Sequence, residues 1–156
     1  MRPNYKQHIF VILFIATIFF AYKIFFSNNT VDDLGHLRQQ AHTALHNKEY
    51  EQVIEICDKA IEADPSSNNA YHMHIKKAKA LNKLGRYKES LESADRAIAT
   101  DPKSEEGYAV KVEPLFHLGQ EEELTAVLEE IIAINPHSPL KAFLNCLRRD
   151  RDKATY

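Results

Sequence analysis

The chain has 156 residues, a net charge of −2 and 44% hydrophobic residues. Every acidic residue lies after position 27, where 22 acids face 17 bases and the charge is −5; this excludes the strongly basic footprint of a nucleic-acid binder. Four glycines and six prolines exclude collagen-like and disordered classes, and two cysteines exclude a disulfide scaffold.

Residues 1–8 hold Arg2 and Lys6 and precede Ile9–Phe26, an apolar run interrupted only by Lys23. Eighteen such residues approach the ~20 that a membrane-spanning helix needs. Phe25-Phe26-Ser27 offers no small-x-small cleavage site, so the run reads as an uncleaved signal-anchor rather than a signal peptide. Basic residues before it and Asp32-Asp33 after it predict a single-pass membrane protein. Its N-terminus would be cytoplasmic and the rest, after a linker at 27–33, periplasmic in a bacterium or luminal in a eukaryote. Asn28-Asn29-Thr30 has the form of a glycosylation sequon but adjoins the expected membrane surface.

Beyond the linker the sequence repeats. Ala-Asp-Pro at 63–65, Thr-Asp-Pro at 100–102 and Ile-Asn-Pro at 134–136 place prolines 37 and then 34 residues apart, and Gly85 and Gly119 are 34 apart. Before the prolines recur Tyr50-x-x-Val53 with Ala60-Ile61, Tyr87-x-x-Ser90 with Ala97-Ile98, and Leu124 with Ile131-Ile132. A 34-residue period with such small and aromatic anchors resembles the tetratricopeptide repeat (TPR) family. The resemblance implies an all-α, right-handed superhelical solenoid of three helix-turn-helix units at 34–67, 71–104 and 105–138, preceded by the transmembrane helix. Small residues at Ala41, Ala60, Ala78 and Ala97 would let paired helices approach, and Tyr50 and Tyr87 would fill the gaps between units. The third unit diverges: Glu121 stands at the aromatic position, and Pro114 falls inside its first helix, where proline removes a hydrogen bond.

Residues 139–156 close the chain. Leu140, Phe143, Leu144 and Leu147 recur at i, i+3, i+4 and i+7, the pattern of a capping helix. No phosphate loop, nucleophile elbow or metalloprotease motif occurs, so neither catalysis nor a cofactor is expected. Cys57 and Cys146 belong to different units and read as free thiols.

His72, Lys76, Lys79 and Lys83 follow one another at spacings of 4, 3 and 4, one face of a helix. In the TPR fold leading helices line the concave groove, and Arg38, His42 and His46 of the first unit are expected to extend this stripe. The resemblance implies a membrane-anchored adaptor or scaffold, similar to bacterial inner-membrane TPR proteins of secretion and envelope assembly. It would hold an acidic or C-terminal carboxylate-bearing segment of a protein partner. Chaperone-binding TPRs grip such tails with a carboxylate clamp. The matching positions here are Arg38, His42, Lys76, Glu106 and Val110, of which only Arg38 keeps the clamp's charge type, which argues against chaperone tails. Two alternatives stand beside the adaptor: a metal-handling or enzyme-accessory protein using His42 and His46, which are i, i+4 on one helix, and a self-associating membrane scaffold.

Overall fold

The computed structural model describes residues 17–18, 34–65 and 68–154. The chain divides into two units, 1–36 and 37–156. In the first, Thr17, Ile18 and residues 34–36 are helical. Besides Thr17 and Ile18, the described residues form seven helices and no strand: α1 (34–46), α2 (Tyr50–Ala63), α3 (Asn68–Lys83), α4 (Tyr87–Thr100), α5 (Glu105–His117), α6 (Glu121–Ile134) and α7 (Leu140–Ala154).

No helix among the described residues is long and apolar enough to cross a membrane. This corrects the expected localisation as a single-pass membrane protein with a periplasmic or luminal repeat domain. The longest described helix, α3, has 16 residues and carries four lysines, against the ~20 apolar residues a span requires. The segment 9–26 on which that expectation stood lies outside the described residues apart from Thr17 and Ile18, as do 1–8 and 27–33.

One turn is built three times. After α1, α3 and α5 the chain passes through Lys48, Gly85 and Gly119 at φ 64°, 72° and 69°. Their N–H groups donate to the carbonyls three residues back: Leu45 (3.2 Å), Asn82 (3.0 Å) and Phe116 (3.2 Å). The next N–H groups, of Glu49, Arg86 and Gln120, reach five residues back to Ala44 (2.9 Å), Leu81 (2.9 Å) and Leu115 (3.0 Å). Together these are the paired bonds of a Schellman ending, which consumes carbonyls the helix would otherwise leave bare. The same residues then begin the second helix of each unit, where Glu49, Arg86 and Gln120 accept from Val53, Ser90 and Leu124. The second helices end alike. Asp64, Asp101 and Asn135 leave the helical basin (ψ 84°, 90° and 94°), each held there by the proline that follows it.

Packing follows from the small residues: Ala41, Ala60, Ala78 and Ala97 are wholly buried. Gly107 adds another close approach, since a Cβ there would lie 3.1 Å from Cγ1 of Ile98. Tyr71, Ile75, Ala94 and Val110 form the core between α3, α4 and α5. Leu115, Leu124, Leu128, Ile131 and Leu144 form the core under α7. Each buried leucine, isoleucine or valine among them contributes about 1.5–3 kcal/mol through removal from water. The backbones of α3 and α5 touch, whereas α2 and α4, and α4 and α6, stay apart. The leading helices therefore take the inner side of the stack.

Pro114 lies inside α5 without ending it. Its missing N–H would have met the carbonyl of Val110, four residues back. That carbonyl instead accepts from the side-chain amide of Asn82 on α3 (3.1 Å, buried). A neighbouring helix thus supplies the donor that proline lacks.

Candidate functional site

The seven residues expected to meet a partner have different surroundings. On α3, Lys79 pairs with Glu106 (2.6 Å) and Lys83 with Glu113 (3.3 Å), both acids from α5. His72 stands edge-on to Tyr71, with ring centroids 5.0 Å apart. Lys76, half-buried, has no hydrogen bond or ion pair among the described residues. On α1, Arg38 donates from Nε to Oδ1 of Asn69 at the start of α3 (3.2 Å), which joins the two leading helices. His42 and His46 are exposed, and no described contact brings them to the α3 stripe. The stripe is therefore matched by α5 acids over its second half, and Lys76 remains its unmatched charge. No group of three or more histidine, cysteine, aspartate or glutamate residues among those described is arranged to hold a metal ion.

Beside these ion pairs lies an apolar cavity of about 580 Å³ between α5 and α7, lined by Ala109, Val112, Glu113, Phe116, His117, Leu140 and Phe143. Phe116 is 57% exposed and meets Phe143 edge-on, with ring centroids 6.2 Å apart. His117 stacks on Tyr87 of α4 at 4.6 Å, which braces the end of α5. Sequence reasoning missed this cavity. Its signal was an aromatic, Phe116, ten residues after Glu106 and three after Glu113, on the helix face that those acids share.

Two further groups were also missed. Lys111, on the opposite side of α5, is buried and tied to Asp95 of α4 (2.9 Å) and Glu123 of α6 (3.1 Å). Burial works to lower its pKa, but hydrogen bonds and attraction from the two carboxylates outweigh this and hold it above the ordinary lysine value. Between α2, α3 and α4 a second cavity, about 290 Å³, is walled by charges of both signs, including Asp58, Lys77, Glu89 and Arg96. Lys77 pairs with Asp58 across it. His74 borders this cavity with a buried, unpartnered Nδ1. Burial, and then the charges of Arg96 and Lys77, hold its pKa below the ordinary histidine value. Of the two free thiols, Cys146 is exposed and Cys57 buried; burial pushes the Cys57 thiol up to about 12, against the pull of Lys76.

Residues 71–104 match the tetratricopeptide repeat family model. No curated protein matches the sequence. Among solved structures, the Arabidopsis OM64 TPR domain superposes with a TM-score of 0.70 at 15% identity, over 77% of this chain and 98% of that one. The second TPR domain of human RPAP3, in complex with the HSP70 peptide SGPTIEEVD, gives 0.66 at 19% identity, over 72% and 92%. The Yersinia enterocolitica type III secretion chaperone SycD, in complex with a peptide of the translocator YopD, gives 0.69 at 15% identity, over 80% and 96%. At these identities the likeness is one of fold: the described helices form an all-α TPR solenoid.

Proposed function

We propose that this TPR solenoid is an adaptor module that holds a segment of a partner protein along its leading helices, with an acidic or C-terminal carboxylate group of that segment against Lys76. The observation that carries the reading is the charge distribution on α3: three lysines share one face, two are neutralised by Glu106 and Glu113, and the third has no partner. A carboxylate arriving there finds an ammonium whose stem is already packed, so fewer rotamers are lost on contact. Arg38, His42, His46 and His72 extend positive or titratable character toward the first unit. Lys79 and Lys83 serve the site less directly, because a carboxylate reaching them competes with Glu106 and Glu113. Such exposed pairs are worth about 0–1 kcal/mol, so exchange is feasible. The reading is supported by the peptide-bound states of RPAP3 and SycD, whose fold this chain shares.

Binding of acidic peptides to the full chain, followed by fluorescence anisotropy, tests the proposal. Lys76→Glu is expected to weaken binding about tenfold or more and to flatten its salt dependence, with the circular dichroism spectrum unchanged. Equal affinity and equal salt dependence in the variant would reduce the stripe to a solvated helix face.

A further inference from the structure

We infer that the apolar cavity between α5 and α7 is an anchor pocket for a leucine- or phenylalanine-sized side chain of the same partner segment, set about five residues from the carboxylate that meets Lys76. The inference rests on the peptide-binding reading and adds to it where the partner's affinity comes from.

Charge alone leaves the groove a poor binder. Two of the three lysines on the α3 face are already matched by α5, so one unmatched ammonium remains, and an isolated exposed ion pair is weak. The next surface along the leading helices has the opposite character. Phe116 presents more than half of its surface to solvent, Val112 and Phe143 line the cavity with it, and the Glu113 carboxylate, also in the lining, is held by Lys83. A concave apolar surface of this kind beside matched polar groups marks an interaction site. The volume, about 580 Å³, exceeds what a methyl group would fill and accommodates a large aliphatic or aromatic side chain.

The spacing follows from the helices. Packed helix axes lie about 8–10 Å apart, so the sideways step from the α3 face to the α5–α7 boundary covers about 12–15 Å. Lys76 also lies one stretch of seven residues before Lys83, which meets Glu113 at the pocket rim, an offset of about 10 Å along the helix, and the whole path is about 16–18 Å. An extended chain advances about 3.3–3.6 Å per residue, which gives roughly five residues between carboxylate and anchor. A second copy of this chain fits the cavity less well. A two-fold contact needs the same surface to protrude into its own image, whereas this one is recessed, and α7 continues into Arg148, Arg149 and Arg151.

Synthetic ten-residue peptides test this with the full-length protein. Each carries one Asp-Glu pair in a Gly/Ser background and one leucine placed two to six residues away, with alanine replacing leucine in the control. Leucine at about four to six residues is expected to bind at least about tenfold tighter than its alanine control. Phe116→Ser, and the cavity-filling Ala109→Phe, should abolish that gain while leaving the alanine peptide unchanged. Lys76→Glu should weaken both peptides and preserve the ratio between them. Leucine and alanine peptides of equal affinity would overturn the anchor pocket while leaving the carboxylate site standing. Absence of all peptide binding would remove both. A change of oligomeric state in Phe116→Ser, seen by light scattering, would overturn the inference in favour of a self-contact. The leucine–alanine comparison needs no variant, so it decides even if one fails to fold.

Discussion

Lys48 occupies the left-handed backbone conformation that Gly85 and Gly119 occupy in the other two turns, with the same pair of hydrogen bonds around it. A side chain with a Cβ is strained there by about 1–2 kcal/mol, part of which a glycine would give back as chain entropy in the unfolded state. Lys48→Gly is therefore expected to stabilise the domain by about 0.5–1 kcal/mol, read as a rise in melting temperature of about 2 °C. His74 acts in the opposite sense. Its folded pKa lies below the ordinary 6.5, so the unfolded chain binds this proton more tightly. The stability it contributes is complete above pH 6.5 and is lost as pH falls through the depressed folded value. Melting temperature should decline between pH 7.5 and 5.5 in the wild type and more gently in His74→Gln; parallel profiles would clear His74 of the effect. Glu89, which its hydrogen bond to Arg86 holds below the ordinary carboxylate value, acts only in a more acidic window. At this scale the sequence was uneven evidence. Gly85 and Gly119 announced their turns because glycine tolerates positive φ, whereas Lys48 makes the same turn with no sequence mark. His74 stands two positions from His72, about 200° around the helix and so off the stripe, but its burial depends on how α2 and α4 pack, which no local signal gives.

Helix α5 is interrupted chemically but not geometrically. Proline at 114 removes the donor for Val110, and Asn82 replaces it from α3. The two residues should therefore be coupled. Asn82→Ala leaves a buried carbonyl without a donor and is expected to cost about 1–3 kcal/mol. In a Pro114→Ala background the restored N–H meets Val110 within the helix, and the same Asn82 substitution should cost about 1 kcal/mol less. A double-mutant cycle by urea denaturation measures the difference, and strict additivity would disprove the coupling. The sequence predicted a disturbed first helix in the third unit because proline's effect is local. Its remedy comes from a residue 32 positions earlier, and nothing local signals it. The ion pairs of Lys79 and Lys83 follow the same pattern. The 4-3-4 spacing placed the lysines on one face of α3, but the register that brings Glu106 and Glu113 opposite them depends on how α5 packs beside α3. The apolar cavity depends on a second register, that of α7 against α5.

Across the whole repeat unit, α7 covers the apolar faces of Leu115, Leu124, Leu128 and Ile131 with Leu144, helped by Leu140, Phe143 and Leu147. Arg148 fastens it to Glu129 of α6 (2.7 Å). A chain truncated after Pro139 is expected to melt at least 10 °C lower and to self-associate in light scattering, because a solenoid end without its cap exposes its core. An unchanged melt would mean the core closes without α7. The architecture was legible because its signals repeat: prolines, turn glycines and small residues each recur at nearly the same interval, so their errors average out. The site was less legible because it is assembled once, from residues on several helices. The buried ammonium of Lys111, between Asp95 and Glu123, bears on how such a stack opens. A solenoid can fray from its end one helix at a time. Peeling α6 from α5 takes Glu123 from Lys111 and leaves Asp95 as its one remaining carboxylate, so the step loses half of what offsets the burial of this charge. Hydrogen exchange should accordingly find the amides of α5 and α6 opening together, at one free energy, with α4 drawn into the same event through Asp95.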